Sequence, residues 1–315
     1  MIMNPEITSQ NIVEKIYEQV KHYPKEPVYQ VFVKNSLCVY ELLVNDYPIA
    51  NEREYGQLMT PFTINNAILK SGKQKITLRL YPAPAEYSRS GDLLSPNTSC
   101  NLEIEYVDNK DSEYKYIPVT KFELPMKVRM AGRDNDIAIP EFEGAGKKYY
   151  EITYEFDANV PYEIKGWSEG QDLSKLNQDQ LTKKALEAYN FRKKIVENRD
   201  INAIAKQVYN PIKEQMISEY ETKDYIKKAW DEYIEIYKNY STFEFKPLIN
   251  YNKKFYGNGR LLTLEQSDLE INKRGKSALW GRFKDNQQRT GSEYIRILLY
   301  LPEGKNLEDG LEVIR

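Results

Sequence analysis

The sequence has few of the residues on which metal binding and nucleophilic catalysis usually depend. Its 315 residues include one histidine, His22, and two cysteines, Cys38 and Cys100. Zinc sites usually take three or four Cys or His ligands at close spacing, which these three residues do not provide. A Ser-His-Asp triad would have to use His22, which stands beside Tyr23 at the end of a predicted helix. We therefore expect no metal site, no cofactor and no catalytic residue.

Net charge and long apolar runs are also lacking. The 45 Lys and Arg residues are balanced by 47 Asp and Glu residues, so the net charge is −2. This balance differs from the basic charge with which proteins bind nucleic acid. No stretch approaches the roughly 18 apolar residues needed to cross a bilayer. The sequence therefore predicts neither a nucleic-acid partner nor a membrane span.

The compartment stays open at this stage. The start, Met1 to Pro5, is not followed by the apolar segment of a secretory signal, so the chain as it reads is cytoplasmic. A chain from which a signal had been removed would read the same way and would be periplasmic. Cys38 and Cys100 would form a disulfide in an oxidising compartment, and otherwise would be two separate buried thiols.

Tyrosine is abundant, with 26 residues spread along the whole chain. Tyrosine provides rigid contact area at low entropic cost, which suits a face that binds protein or sugar. It is also favoured in antiparallel strands, and the even spread along the chain favours this second interpretation.

The first half of the chain changes from one helical segment to alternating strands. Residues 6–21 have apolar residues at helical spacing, and two prolines end that segment. Residues 28–33 and 37–44 are apolar and β-branched with three polar residues between them, which predicts a hairpin. Further strands are predicted at 76–81, 102–106, 114–119, 121–129, 148–157 and 160–165. About eight strands with regular turns are typical of an antiparallel sandwich.

The second half is predicted as helices followed by strands. Helical spacing covers residues 181–196 and 200–208. Pro211 at a first helical position would begin a third helix ending near Tyr220, and Thr222 would cap a fourth. Strands are then predicted at 243–249, 260–264, 269–272, 278–283, 294–301 and 311–314.

These patterns predict two domains, an all-β antiparallel sandwich followed by an α+β domain of helices and a curled antiparallel sheet. The predicted boundaries are an N-terminal helix and linker at 1–27, the sandwich at 28–167, and the helical and antiparallel-sheet domain at 168–315.

Two segments resemble known families. The block 185–208, with Arg192 and the polar turn 198–203, resembles the opening of an NTF2-like domain, and residues 170–315 have the length and element order of that family. The resemblance implies a cone of antiparallel strands behind the helices. The acid–base pair that members often carry has no counterpart here, because the only histidine lies outside the segment, so the resemblance implies a binding or assembly role. Residues 40–82 are similar to uncharacterised bacterial proteins, some of which look like immunity or accessory proteins of contact-dependent toxin systems.

The favoured function is therefore a non-enzymatic protein-interaction module, in its specific form a bacterial immunity or accessory protein that blocks a partner sterically. The candidate binding residues are aromatic and polar side chains expected at the surface: Trp280, Tyr87, Arg89, Arg133 and Tyr256. The alternative is a carbohydrate-binding protein or a glycan enzyme that uses two carboxylates, for which strand-face pairs such as Glu103 with Glu105 and Glu151 with Glu155 are candidates. A carrier with an apolar cone for a small ligand is a third hypothesis.

Overall fold

A computed structural model describes residues 3–56, 60–134, 136–239, 243–267, 273, 275–284 and 287–314. The chain forms two compact units. One consists of residues Tyr23–Glu163, and the other combines Met1–His22 with Ile164–Arg315. The N-terminal segment thus belongs to the same unit as the C-terminal half, whereas its sequence alone assigned it to neither domain.

The unit of residues 23–163 is built almost entirely from strands. They are β1 (Pro27–Ser36), β2 (Cys38–Val44), β3 (Tyr47–Glu52), β4 (Phe62–Thr63), β5 (Gly72–Pro82), β6 (Ser99–Asp108), β7 (Tyr116–Phe122), β8 (Met126–Ala131), β9 (Ile137–Phe142) and β10 (Tyr150–Ala158). The sheet orders are β4-β1-β6-β7 and β10-β5-β2-β3, with β8 and β9 forming a separate two-stranded sheet. All strand pairs in this unit are antiparallel.

Alternation of side chains gives each four-stranded sheet a buried face. Val31 and Val33 of β1 are buried, as are Leu78 and Leu80 of β5, while the residues between them are more exposed. Residues two apart on a strand point to the same face of a sheet. The predicted antiparallel sandwich is therefore confirmed.

The predicted hairpin between residues 28–33 and 37–44 is wrong. Strand β1 continues to Ser36 and pairs with β6 over its whole length, while β2 pairs with β3 and β5. Only Leu37, at a φ of 57°, separates β1 from β2, so the chain passes from one sheet to the other. The tight hairpin is the next one, β2–β3, where Asn45 and Asp46 have φ values of 52° and 59°, as a type I′ turn requires.

The second unit contains the four helices α1 (Ile12–Tyr17), α2 (Gln178–Glu197), α3 (Ile201–Ser218) and α4 (Lys223–Asn239). Its strands are β11 (Glu244–Phe245), β12 (Tyr251–Tyr256), β13 (Leu261–Gln266), β14 (Trp280–Lys284), β15 (Thr290–Tyr294), β16 (Leu299–Tyr300) and β17 (Glu312–Val313). They form two antiparallel sheets in the orders β11-β14-β15 and β12-β13-β16-β17. The order of helices followed by antiparallel strands is confirmed, and the strand predicted at 269–272 lies outside the described residues.

The core of this unit joins the helices to β13. Leu181, Ala185 and Tyr189 form the buried face of α2 and belong to the same apolar cluster as Leu262 and Leu264. The hydroxyl of Tyr189 lies 2.9 Å from Oγ1 of Thr263 and accepts the backbone N–H of Leu264. Within the described residues, no helix is both long and apolar enough to cross a membrane.

The two short helices predicted on either side of Asn210 are a single helix. Pro211 lies inside α3, and buried residues continue on both sides of it, with Val208 and Tyr209 before it and Met216 after it. An interior proline removes one helical hydrogen bond and costs about 3 kcal/mol in helix propensity. The burial of apolar side chains along the full length of the helix exceeds this cost.

Candidate functional site

Strands β8 and β9 form a ribbon that pairs with neither four-stranded sheet. Met126 lies opposite Phe142 at its base, and Ala131 opposite Ile137 near its tip. The chain turns between them at Gly132, whose φ is 91°. A side chain is strained at this positive φ, so the turn favours glycine for its conformation.

One face of this ribbon is apolar and open to solvent. Directly opposed residues of an antiparallel pair share a face, and here Val128 pairs with Pro140 and Met130 with Ala138. Met126, Val128 and Met130 keep 56%, 63% and 48% of their surface exposed, and both Ala138 and Pro140 are exposed. We call these five residues the ribbon face. Soluble proteins rarely leave adjacent large apolar side chains uncovered unless they bind something.

The opposite face of the ribbon is held by ion pairs. The Glu141 carboxylate lies 3.4 Å from Lys127 Nζ and 3.1 Å from Arg129 Nε. Ile137 is on this side as well and is 53% exposed. The two faces therefore differ in chemistry, since only the ribbon face has no charged side chain.

This ribbon is not apparent from the sequence. The sequence pattern predicts one strand over 121–129, whereas the structure has a break at 123–125 and begins a new strand at Met126. The pattern predicts no strand at β9. The alternation of Met126, Val128 and Met130 with Lys127 and Arg129 was available as a signal, but alternation indicates only that one face is apolar.

Three of the predicted binding residues lie at the surface of the unit that carries the ribbon. Arg133 is exposed at the ribbon tip. Tyr87 and Arg89 are exposed in the loop between β5 and β6, where the Tyr87 ring stacks on Tyr55 at 4.5 Å between centroids. Their binding role stays a prediction.

Trp280 and Tyr256 belong to the other unit. The half-buried Trp280 ring stacks on Tyr294 at 5.5 Å, with Lys273 Nζ 5.5 Å and the Arg282 guanidinium 5.8 Å from its centroid. Tyr256 is only 3% exposed, so the expectation that it lies at the surface was wrong. It is buried because it ends β12 opposite Leu261, where its hydroxyl donates to Glu265 at 2.8 Å. The five predicted residues are therefore divided between the two units, three in one and two in the other.

The carboxylate pairs proposed for glycan chemistry are engaged with neighbouring strands. Glu103 lies between Lys34 and Lys121, at 2.9 Å and 3.1 Å, and the hydrogen bond from Lys34, followed by that from Lys121, lowers its pKa. Glu105 accepts a hydrogen bond from Gln30 at 2.7 Å.

The second pair is held in the same way. Glu151 pairs with Arg79 Nε at 2.7 Å, and Glu155 lies 3.4 Å from Lys73. Arg79 and Lys73 both belong to β5, so the two carboxylates are engaged in ion pairs across the strands.

The part of the chain that the structure describes gives little support for a metal site or for a nucleophilic cysteine. Its His, Cys, Asp and Glu side chains form no group of three or more that is suited to a metal ion. Cys38 and Cys100 are free, buried thiols, and Cys38 donates to the Ser99 carbonyl at 3.5 Å. The hydrogen bond with Cys38, together with burial, raises the pKa of the Cys100 thiol, so this thiol is a poor nucleophile.

Comparison of the chain with protein-family models, with curated proteins and with solved structures finds no match. The geometry of the ribbon is therefore the main guide to function.

Proposed function

We propose that this protein is a non-enzymatic protein-interaction module that binds its partner through the ribbon face. The observation that supports this most directly is the exposure of Met126, Val128 and Met130 on a ribbon that pairs with no other strand of the described residues. Elsewhere in the same unit, the alternating apolar residues of β1 and β5 are buried. A face with this composition is stabilised when another surface covers it.

The expected binding energy comes mainly from burial of these side chains. Full burial of a Val or Met side chain contributes about 1.5–3 kcal/mol. Methionine adapts its shape to the opposing surface, which suits a recognition face. Part of this gain offsets the loss of translational and rotational freedom on association.

The charges around the ribbon favour a protein partner over a lipid surface. Arg133 at the tip stands beside Asp134 and Asp136, and Glu141 neutralises much of the basic charge behind the ribbon face. Binding to anionic lipid depends on clusters of Lys and Arg, which this ribbon does not carry. A narrow two-stranded ribbon suits insertion into an apolar cleft of another protein.

In its specific form, this proposal is a bacterial immunity or accessory protein that occludes a functional cleft of its partner. The resemblance of residues 40–82 to such proteins suggests this form from the sequence alone, and the ribbon would supply the occluding element. The glycan-binding alternative has weaker support, because Tyr294, Lys273 and Arg282 crowd the Trp280 ring on which a sugar would stack.

The test is an affinity pull-down of the tagged protein from its own cells, with bound proteins identified and quantified by mass spectrometry. We expect one near-stoichiometric partner. The substitution Val128→Asp should reduce its recovery at least about tenfold, because a charge in an apolar contact stays unpaired. The matched control is Ile137→Asp, which places the same charge on the opposite face of the same ribbon and should retain the partner.

Circular dichroism of both variants checks that the fold is unchanged. An empty pull-down with the wild-type chain, or equal loss of the partner in the two variants, would contradict the proposal. Self-association of the purified chain that Val128→Asp abolishes would assign the ribbon face to a second copy instead.

A further inference from the structure

A groove in the helical unit has the composition of a small-molecule site. It lies along α2 and the start of α3, is closed by residues 310–313, and has a volume of about 610 Å³. Small-molecule sites commonly fall between about 300 and 1,000 Å³. No part of it belongs to the unit that carries the ribbon.

The floor of the groove is apolar. Ala188 and Ile195 of α2 face Leu311 and Val313 near the end of the chain. Phe191, on the outer side, is 44% exposed. This surface would be covered by the hydrocarbon part of a ligand.

Positive side chains outnumber acidic ones in the lining of the groove, three to two. Lys194 and Lys206 line the groove and form no ion pair within the described residues. Of the two acidic lining residues, Glu187 lies 3.4 Å from Lys184, and the Asp200 carboxylate caps α3 by accepting the Ala203 N–H at 2.9 Å, at the positive end of the helix dipole. An anionic group is the natural complement of this rim.

Behind the floor, a buried arginine orients a hydrogen-bond donor toward the groove. Arg192 is 1% exposed, and its Nη1 donates to Oε1 of Gln207 at 2.8 Å. Because a guanidinium only donates, the oxygen of the Gln207 amide must face Arg192, and the NH₂ group must be at the other end. Gln207 is 6% exposed, lines the groove, and makes no hydrogen bond from Nε2 to the described residues.

The charge of Arg192 is not neutralised by an acid. Its described hydrogen-bond partners besides Gln207 are the hydroxyls of Tyr233 and Tyr237, and no carboxylate of the described residues pairs with it. A cation in a low-dielectric interior acts over a longer range than one in water. It therefore adds to the positive potential of the groove and polarises the Gln207 amide.

We propose that this groove binds a small organic carboxylate with an aliphatic or aromatic body. The Gln207 amide donates to the carboxylate, Lys194 and Lys206 pair with its charge, and the apolar floor covers the hydrocarbon. This site is independent of the ribbon face, so the two proposals can fail separately.

The test uses the full chain and isothermal titration calorimetry with octanoate. Octan-1-ol is the matched neutral probe, since it has the same apolar body without the charge. We expect octanoate to bind with one-to-one stoichiometry and octan-1-ol to bind at least about tenfold more weakly, because hydrogen bonds to charged groups are the stronger ones.

Two variants test separately the contribution of the Gln207 amide and that of the two lysines. Gln207→Glu keeps the shape and still accepts from Arg192, but it replaces the donor by a carboxylate that repels the ligand. It should abolish octanoate binding without loss of thermal stability. The double substitution Lys194→Gln with Lys206→Gln should weaken binding about tenfold or more.

The control is Lys193→Gln, which removes a cation of the same helix that pairs with Glu197 at 3.7 Å and does not line the groove. It should leave the affinity unchanged. Equal binding of octanoate and octan-1-ol, no binding of octanoate by the wild-type chain, or full binding by a folded Gln207→Glu variant would each overturn the proposal.

Discussion

Glu41 and Arg192 are charged side chains that the fold buries, and their charges are compensated in different ways. Glu41 on β2 is 4% exposed and is ion-paired with Arg53, with Arg79 Nη1 at 3.6 Å. Arg192 has only neutral hydrogen-bond partners among the described residues. A buried charge with an opposite partner is typical of a structural role. For Arg192, the carboxylate proposed to bind in the adjacent groove would supply the opposite charge.

Glu41→Ala should destabilise the unit of residues 23–163 by about 3–5 kcal/mol, because it leaves the largely buried Arg53 guanidinium without an acidic partner among the described residues. The free energy of unfolding from urea titration measures this loss. The control is Glu155→Ala on β10, whose pair with Lys73 is exposed and should contribute less than about 1 kcal/mol. A similar loss in the two variants would show that burial does not set the contribution of Glu41.

Among the secondary-structure elements, α3 and the ribbon each show that a local sequence pattern can fail to determine the final structure. In α3, Asp200 caps the first turn by accepting the Ala203 N–H, a local interaction. Pro211 is also a local signal for a helix start, but long-range packing overrides it. In the ribbon, the alternation of β8 predicts a strand, while its lack of cover depends on the rest of the chain.

Pro211→Ala should stabilise the helical unit by about 1–3 kcal/mol, because alanine restores an N–H that donates to the Gln207 carbonyl four residues earlier. Thermal unfolding of the full chain measures the shift. The matched control is Pro247→Ala, since Pro247 lies outside helices and strands in the same unit. That change only adds freedom to the unfolded chain and should be neutral or slightly destabilising. A destabilised Pro211→Ala variant would contradict this account.

At the scale of the whole molecule, the chain begins and ends in the same compact unit. Ile7, Ile12 and Ile16 of the N-terminal segment are almost fully buried and belong to the same apolar cluster as Ile226 and Trp230 of α4. The unit of residues 23–163 is therefore inserted, in sequence, between two parts of the other unit.

The double substitution Ile12→Ala with Ile16→Ala should destabilise only the helical unit, by about 2–5 kcal/mol for each residue, because each leaves a cavity in a packed core. Calorimetry of the full chain should show the transition of that unit at a lower temperature. The transition of residues 23–163, identified by expressing that segment alone, should not move. A shift of both transitions would show that the two units unfold as one.

The sequence alone shows which segments have the periodicity of a helix and which have that of a strand. Alternation predicts most of the longer strands of the first half, the spacing of Ile226 and Trp230 predicts α4, and the order of a β-rich part, helices and strands follows from where the period changes. These patterns depend only on residues close together in the chain, so they can be recognised without knowledge of the tertiary structure. The tight turn at Asn45 and Asp46 is another feature that depends on local sequence alone.

The tertiary structure determines which apolar face is buried and which charged side chains lie next to each other. It placed β1 beside β6 instead of β2, buried Tyr256 and left the ribbon face open. It also brought Arg192 of α2 against Gln207 of α3 at the back of a groove. The physical reason is that a periodic pattern shows that a surface is apolar, whereas its burial depends on contacts between residues far apart in the chain.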